Sequence, residues 1–319
     1  MSIGIGAIHC VLPSDLVPVT DLPQFAGLEG EAPDGADVSG VRTVSVFPDA
    51  TAWELAVRAC TELLTARPDE PDLMIHVAPR PAEALLGSDA HRIQHGAGLA
   101  STFPFTVGGQ GCAGASVAWA LARDLLLADP GRRSVLVAHG SRPDDRSRVR
   151  HPVTVVGDGA FAMTMVRGGR PVLKAHRMEA DGSFNDLFRG NYARTPGQEW
   201  SLEHTLGERY FELAAHSRTR MGKLVDEVLS DAGLTKDDIA ATLMPNTTVS
   251  AYRFYEQALG LPIHPVCEQH LTELGHLGPM DIVLNLDRLL ATGDLVRGDH
   301  VVVLGNARVA AWTVSLFEI

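Results

Sequence analysis

The sequence predicts an α/β fold built from two consecutive halves, and three observations support this prediction. Apolar runs of strand length alternate with amphipathic runs of helix length along most of the 319 residues. The apolar runs are nearly continuous, which is typical of strands buried on both faces. A Gly-Gly-Arg-Pro string at residues 168–171 interrupts the pattern near the midpoint. We therefore predict two domains, residues 1–168 and residues 169–319.

Each predicted element follows from one of these runs. In the first half, strands are predicted near residues 3–8, 73–77, 103–107, 135–138 and 160–166, and helices near residues 52–64, 84–96 and 113–127. In the second half, strands are predicted near residues 172–176, 242–244, 301–304 and 311–316, and helices near residues 208–232, 249–259 and 280–291. Residues 18–38 and 191–203 are irregular, and connections of this length are either functional loops or plain surface excursions.

Composition and charge exclude several classes of protein. With 27 Lys and Arg against 39 Asp and Glu, the formal charge is −12, which argues against a nucleic-acid partner. The first residues lack a basic segment before an apolar run, and no later window approaches the roughly 18 apolar residues of a membrane span. We expect a cytoplasmic protein without a membrane partner. The four cysteines are far apart, which suits neither a disulfide framework nor a metal site.

Cys112 is the candidate nucleophile. It follows a predicted strand and a Gly-rich turn, and it opens an Ala-rich helix. Backbone N–H groups and the helix dipole at such a position stabilise a thiolate and lower the pKa of the thiol. Gly111 and Gly114 allow another backbone or a substrate to approach closely. The alternative is a buried, inert cysteine.

Several strings, in this order along the chain, resemble motifs of the ketoacyl-ACP synthase III type of the thiolase superfamily. They are Ser-Gly-Val-Arg at residues 39–42, Arg-Ile-Gln at 92–94, Cys-Ala-Gly at 112–114, Gly-Asp-Gly-Ala at 157–160, and the segments 225–234 and 237–245. The resemblance covers essentially the whole chain. It implies a thiolase-like fold with two duplicated half-domains in a layered α/β/α/β/α arrangement. The first half would carry the nucleophile, and the second half would carry its partners.

The same resemblance implies the substrates and the assembly. Cys112 would accept an acyl group from a CoA or acyl-carrier-protein thioester, without a tightly bound cofactor. The protein would be a homodimer that buries the strand at residues 102–107. The Gly-Asp-Gly-Ala turn at residues 157–160 would support the site structurally.

Two positions depart from the family pattern as a pair. Where the family reads PHQAN, this chain reads Met-Pro-Asn-Thr-Thr at residues 244–248, so Asn246 stands at the histidine position. Where the family reads GNTS, His276 stands at the asparagine position. We expect Cys112, His276 and Asn246 to line one site, with His276 as the titratable base. The alternatives are a structural histidine in a Gly-rich loop and an asparagine that caps the next helix.

A further departure concerns the family's GGGFTWGS-like turn, which contributes a backbone N–H to the oxyanion hole. The corresponding residues 305–312 read Gly-Asn-Ala-Arg-Val-Ala-Ala-Trp. Ala, Arg and Val resist a positive φ. The sequence therefore leaves undecided whether this turn contributes a backbone N–H to the oxyanion hole.

Three arginines are weak candidates for binding CoA or a carrier protein. Arg42 belongs to the string at residues 39–42, and Arg146 belongs to a basic run at residues 142–150 whose alternative is a solvated loop. Arg253 is the nearest substitute for a basic residue that the family carries after PHQAN.

The predicted function is Cys-dependent acyl transfer to an oxygen, nitrogen or sulfur nucleophile in specialised metabolite biosynthesis. Decarboxylative Claisen condensation is the alternative within the same superfamily. A non-catalytic partner subunit is the alternative from another class, although such a subunit would be expected to lose the nucleophile.

Overall fold

A nine-stranded mixed sheet organises the protein. The computed structural model describes residues 2–23, 40–66, 69–78, 87–143, 148–150, 154–185, 188–190, 202–204 and 208–319. The strands of the main sheet are β1 (Ile3–Val11), β4 (Leu73–Ala78), β5 (Phe103–Gly108), β6 (Ser134–Ser141), β9 (Gly159–Arg167), β10 (Val172–Ala180), β13 (Ile239–Leu243), β14 (His300–Ala307) and β15 (Ala311–Glu318). Three small pairs are β2 (Leu16–Pro18) with β3 (Thr43–Ser45), β7 (Val149–Arg150) with β8 (Thr154–Val155), and β11 (Phe188–Gly190) with β12 (Leu202–His204).

The helices of the described residues connect these strands. They are α1 (Ala52–Ala66), α2 (Asp89–Gly96), α3 (Gly114–Ala128), α4 (Glu208–Ala232), α5 (Val249–Leu259), α6 (Pro265–Leu274) and α7 (Met280–Thr292). Short 3₁₀ turns occupy Val19–Asp21, Gly111–Ala113, Gly182–Phe184 and Lys236–Asp238.

The strand order shows the same pattern on both sides of the β1–β10 contact. The order is β13-β14-β15-β10-β1-β9-β6-β4-β5. From β1 outward, β9 and β6 pair antiparallel and β4 and β5 follow in parallel. From β10 outward, β15 and β14 pair antiparallel and β13 follows in parallel. The change between halves falls between β9 and β10, which supports the division at residues 168 and 169. That division stays a prediction.

The helices form three layers around the two parts of the sheet. α3 contacts β4, β6 and β9 of the first half and β10 and β15 of the second, and α7 also contacts strands of both halves. These two helices therefore lie in the centre. α1 and α2 cover the first half, and α4 covers β10 and β15. This layered arrangement of helices and sheet confirms the predicted α/β fold class.

The central helix is, among the described residues, the helix whose length and composition fit a membrane span. Gly111–Ala128 has the length and composition of a membrane-spanning helix, although no window was expected to qualify. Half of this segment is buried inside the protein. Trp119 on α3 packs edge-to-face on Phe317, with ring centroids 5.3 Å apart, and its indole N–H donates to Ser315 Oγ at 2.8 Å. The segment is the core helix of the fold.

Most predicted elements match the observed ones, and the differences have local causes. The helix predicted at residues 84–96 is described from Asp89 onward, and its predicted start lies outside the described residues. α6 was not predicted. Its signals are Pro265 at the first turn and His264, whose side chain caps the helix by accepting from Val266 N. Most of the irregular stretches 18–38 and 191–203 also lies outside the described residues.

A buried ion pair corrects part of the predicted basic run. The guanidinium of Arg148 binds the Asp158 carboxylate at 2.9 Å, and the two side chains are 2% and 0% exposed. Asp158 also accepts from Phe47 N at 2.8 Å. Arg148 is therefore part of the interior and belongs neither to a solvated loop nor to a phosphate-binding patch.

We expect Arg148→Met to destabilise the fold by about 3–5 kcal/mol, because it leaves the Asp158 carboxylate buried without its cation. Urea unfolding followed by circular dichroism measures this loss. Arg58→Met is the matched control, since Arg58 pairs with Glu62 on the surface and such pairs contribute about 1 kcal/mol or less. Equal losses in the two variants would contradict the structural role of the buried pair.

Candidate active site

Cys112 lies where β5 turns into α3. Residues Gly111–Ala113 form a 3₁₀ turn that leads directly into α3 at Gly114. Gly111 has a φ of 50°, and a Cβ atom there would lie 3.1 Å from the Cβ of Ala307. This turn therefore uses glycine both for its backbone conformation and for its contact with the end of β14. The result places Cys112, half-buried, at the amino end of the central helix.

Cys112, His276 and Asp281 form a continuous chain of contacts. Cys112 Sγ lies 2.9 Å from His276 Nε2, and His276 Nδ1 lies 2.5 Å from Asp281 Oδ2. His276 is 6% exposed and Asp281 is 0% exposed. A carboxylate accepts a hydrogen bond from the Nδ1–H group and so directs Nε2 towards the sulfur. A nucleophile, a base and an orienting carboxylate in this order are the arrangement of cysteine and serine acyl-transfer sites.

Backbone hydrogen bonds fix His276 in the loop between α6 and α7. Its N–H donates to Val155 O at 2.8 Å, and its carbonyl accepts from Gly157 N at 3.0 Å. Gly275 precedes it with a φ of 70°, and a Cβ atom there would lie 2.6 Å from Val155 O. Val155 and Gly157 therefore hold the loop that carries His276 through these two backbone hydrogen bonds.

Asp281 was missing from the predicted site. It lies in the first turn of α7, where its carboxylate accepts from Leu277 N at 2.7 Å and from Asn246 N at 2.9 Å in addition to His276. The sequence does carry a signal for it. An acidic residue follows Pro279 at the predicted helix start, a few positions after the candidate base.

Asn246 lies behind the histidine, and its side chain does not line the cavity described below. Its Nδ2 donates to Gly275 O at 3.2 Å, and its Oδ1 accepts from Asn285 Nδ2 at 3.1 Å. His270 Nδ1 contacts Asn285 Oδ1 at 2.6 Å, so these side chains form one buried network. The structure thus brings Cys112 and His276 together and corrects the expected position of the Asn246 amide. Its backbone N–H supports Asp281 instead.

The charges of the pair shift both pKa values towards a thiolate and an imidazolium. Burial raises the pKa of Cys112, but the positive charge of His276 and its hydrogen bond outweigh this effect, so the pKa is lowered overall. Burial lowers the pKa of His276, while the Cys112 thiolate and the Asp281 carboxylate raise it, with a net increase. Burial raises the pKa of Cys60 and of Cys267 to about 12 and also raises the pKa of Cys10. Cys112 is therefore the cysteine with thiolate character.

A cavity of about 540 Å³ opens onto Cys112 and His276. Its apolar side includes Phe211 and Leu213 of α4 and Phe254 of α5. Phe211 is 75% exposed, so this side reaches the protein surface.

Two polar side chains of the cavity wall have a buried atom without a hydrogen-bond partner among the described residues. Thr247 Oγ1 is buried and makes no hydrogen bond. Asn306 Nδ2 donates to Tyr255 Oη at 3.3 Å, while Asn306 Oδ1 has no partner. Turning the amide over would exchange these roles and still leave one amide atom unpaired. A bound molecule with polar groups would satisfy both positions.

The turn between β14 and β15 accommodates a positive φ without glycine. Ala310 has a φ of 52°, in the region that L residues rarely adopt. The preceding residues Ala307 and Arg308 line the cavity beside Cys112. Ala310 is thus the residue of this turn that adopts a positive φ, while Ala307, Arg308 and Val309 do not.

The predicted arginines do not contact this cavity where the structure describes them. Arg42 is exposed, and its backbone N–H donates to Thr272 O at 2.8 Å. The side chain of Arg253 is 59% exposed and pairs with Glu256 and Glu268 at 2.9 and 2.7 Å. Arg146 lies outside the described residues. Among the described residues, Arg308 is the arginine that lines the cavity.

Comparison with known proteins identifies a family model, relatives and solved structures that are similar to this chain. The family model described as 3-oxoacyl-[acyl-carrier-protein] synthase III C terminal matches residues 229–319. A β-ketoacyl-[acyl-carrier-protein] synthase III of Coxiella burnetii (strain Dugway 5J108-111) is 27% identical over 255 residues, which are 77% of this chain and 76% of that protein. The structure of the acyltransferase ChlB3 is 25% identical with a TM-score of 0.83, covering 100% of this chain and 98% of that one. The synthase III FabH from Pseudomonas aeruginosa PAO1 is 19% identical with a TM-score of 0.80, at 100% and 98% coverage.

The central sheet and helix, with a cysteine at the amino end of that helix, are the fold that these solved structures share. The matched C-terminal segment and the relatives support a ketoacyl-ACP synthase III-like protein of the thiolase superfamily.

We expect Cys112 to react with iodoacetamide well below pH 8.5, the usual pKa of a thiol, because its pKa is lowered and the thiolate persists as the pH falls. In His276→Gln the positive charge is lost, so the midpoint of the pH–rate profile should move upward by about one unit or more. Rates measured by mass spectrometry between pH 4 and pH 10 test this, with Cys112→Ala as the background control. An unchanged midpoint in His276→Gln would contradict the ion pair.

Proposed function

We propose that the protein is an acyltransferase in which Cys112 accepts an acyl group from a CoA or acyl-carrier-protein thioester and His276 assists its transfer to a second substrate. The acceptor carries a hydroxyl, amine or thiol group. The observation that supports this proposal is the contact chain from Cys112 Sγ through His276 to Asp281, at 2.9 and 2.5 Å.

In the first half-reaction the Cys112 thiolate attacks the thioester carbonyl. A new carbon–sulfur bond forms, and the carbon–sulfur bond to the donor breaks, which leaves an acyl-cysteine thioester. The departing thiolate takes the proton of the His276 imidazolium. Backbone N–H groups at the amino end of a helix, where Cys112 lies, can stabilise the developing oxyanion.

In the second half-reaction neutral His276 removes a proton from the acceptor as the acceptor attacks the acyl-cysteine carbonyl. The bond to Cys112 Sγ breaks, and the thiolate returns beside the protonated imidazole. Asp281 stabilises the imidazolium that forms and holds the ring in the required tautomer. The unpaired atoms of Thr247 and Asn306 offer hydrogen bonds to a polar acceptor, and the apolar wall offers contact area for its carbon skeleton.

Decarboxylative condensation is the second candidate, since the named relatives include β-ketoacyl-ACP synthases. Condensation needs donors that stabilise an enolate in the cavity. In this chain the Asn246 amide donates to Gly275 O, which leaves His276 Nε2 as the donor from the exchanged pair. The other ring nitrogen of His276, Nδ1, contacts the Asp281 carboxylate, as in sites where a histidine acts as a general base. The geometry therefore favours acyl transfer. It also argues against a non-catalytic partner, in which contacts between nucleophile and base have no use.

The same proposal includes the type of pathway, the compartment and the assembly of the protein. A site altered from the condensing pattern suits a specialised biosynthetic pathway in the cytoplasm. β5 is the edge strand of the main sheet, with Phe103 66% exposed, and such an edge is suited to pairing with a second copy in a homodimer.

We expect intact-protein mass spectrometry to show a single acyl addition on Cys112 after exposure to acyl thioesters, and none in Cys112→Ala. His276→Ala should accumulate acyl-enzyme, because the base needed for the acceptor is missing while the helix terminus still assists thiolate formation. Carbon dioxide release from a malonyl thioester, measured in the same samples, separates the two candidates. Release by the wild type with a loss of about 10²–10³-fold in His276→Ala would establish condensation instead.

Asn246→Ala separates a supporting role from a direct one. If the amide only joins the buried network, the variant should lose about 1–3 kcal/mol of stability, because Asn285 is left partly unpaired. Deacylation should then slow by less than about tenfold. A direct oxyanion donor would cost about 10²–10³-fold. Thermal unfolding and single-turnover deacylation measure the two effects on the same preparation, and a loss of that larger size would restore the direct role.

A further inference from the structure

Two side chains on the wall of the active-site cavity each carry a buried atom that no described residue pairs. Thr247 Oγ1 and Asn306 Oδ1 make no hydrogen bond, and both residues line the cavity that opens onto Cys112 and His276. A polar atom removed from water without a partner is costly, so folded proteins pair nearly all such atoms. These two atoms are therefore candidates for pairing with a bound molecule.

Neighbouring hydroxyl groups on the same wall already have partners. Ser217 Oγ accepts from Trp312 Nε1 at 2.9 Å. Thr248 Oγ1 accepts from Ala251 N at 3.0 Å and so caps α5. Ser217 and Thr248 both line the cavity. Lining the cavity does not by itself leave a hydroxyl unpaired, and Thr247 differs from its neighbours in this respect.

Thr247 and Asn306 belong to the two elements that hold the base and the nucleophile. Thr247 follows Asn246, whose backbone N–H donates at 2.9 Å to Asp281, the carboxylate partner of the base. Asn306 precedes Ala307, which packs on the glycine turn in front of the nucleophile. In the second half-reaction the acceptor must bring its reacting atom to the nucleophile and the base. The rest of the acceptor then lies in the same cavity, whose wall carries both unpaired atoms.

A hydroxyl is the group that satisfies both positions. The threonine hydroxyl both donates and accepts hydrogen bonds. Asn306 offers Oδ1 as an acceptor while its Nδ2 donates to Tyr255 Oη, and with the amide turned over it offers a donor instead. An ammonium group only donates and a carbonyl only accepts, whereas a hydroxyl does both. A hydroxyl therefore pairs with Thr247 and with Asn306 in either orientation of the amide.

We propose that Thr247 and Asn306 bind a hydroxyl group of the acceptor other than the group that is acylated. The acceptor is then a compound with at least one hydroxyl besides its reacting group, such as a diol. This inference rests on the proposed acyl transfer and specifies its acceptor class. The reacting oxygen of a diol would lose its proton to His276 Nε2 and bond to the acyl carbon, while the bond from that carbon to Cys112 Sγ breaks. The second hydroxyl keeps its proton and binds the wall.

Decay of the isolated acyl-enzyme measures the preference for acceptors apart from the first half-reaction. Cys112 is acylated with butyryl-CoA, the excess donor is removed, and the loss of butyryl-Cys112 is followed by intact-protein mass spectrometry. The probes are cyclohexanol and the positional isomers of cyclohexanediol, which share a carbon ring and differ in the second hydroxyl. We expect the wild type to transfer the butyryl group to at least one diol about tenfold faster than to cyclohexanol.

Substitutions that remove the two polar atoms should reduce this preference. In Thr247→Val and in Asn306→Leu, which keep the approximate side-chain size, the diol-to-cyclohexanol ratio should fall at least about threefold. Thr247→Ser keeps the hydroxyl and should keep the ratio. Ser217→Ala is the matched control, because it removes a hydroxyl of the same wall that is already paired with Trp312. The intrinsic reactivity of the probes cancels when ratios are compared between variants.

The outcomes separate this inference from the proposed function. If the wild type prefers no diol, or if its ratio is unchanged in Thr247→Val and Asn306→Leu, the inference fails, while acyl transfer stands because butyryl-Cys112 forms. Variants that slow only the formation of butyryl-Cys112 would show that the two atoms bind the donor, which also overturns the inference. If butyryl-Cys112 does not form, the proposed function fails together with it. Circular dichroism identifies a folding defect in Asn306→Leu, and the comparison of Thr247→Val with Thr247→Ser then decides.

Discussion

Two backbone hydrogen bonds between the halves of the chain determine the geometry of the site. Cys112 and His276 are separated by 164 positions, yet they must lie within 3 Å of each other. The histidine is held because its N–H and carbonyl pair with Val155 and Gly157 of the first half. Gly275 permits that contact, since any side chain there would collide with Val155 O. The Gly-Asp-Gly turn therefore helps to hold His276 beside Cys112. Arg148 stabilises this turn through its ion pair with Asp158.

The buried polar groups around this contact are stable because almost every one of them is paired. The Asp281 carboxylate accepts from His276 and from two backbone N–H groups. Asn285 links Asn246 to His270 on the far side. In a medium of low polarity such pairing is strong, and an unpaired group is costly. Of the described side chains with an unpaired buried atom, Thr247 and Asn306 are the ones that line the cavity, where a substrate can satisfy them.

The sequence predicted most of the fold because the signals for helices and strands are local. The periodicity at residues 208–232 and 249–259 gave α4 and α5 with their observed ends. α6 was missed because its start depends on the cap formed by His264 and Pro265, and its length leaves little periodicity to detect. The position of Cys112 at the amino end of α3 was predictable because strand, turn and helix are adjacent in the sequence. The orientation of the Asn246 amide depends on Asn285, a contact that only the folded chain creates.

The same distinction explains why the contact between Asp281 and His276 escaped prediction, and that contact clarifies the exchange of His and Asn. At position 276 an imidazole reaches both Cys112 Sγ and the Asp281 carboxylate. Position 246 meets that carboxylate through its backbone N–H. A histidine at position 276 therefore gains an anionic partner that fixes its tautomer and stabilises its protonated form. The exchange places the titratable ring next to a carboxylate, which is the arrangement that the proposed role of His276 as a general base uses.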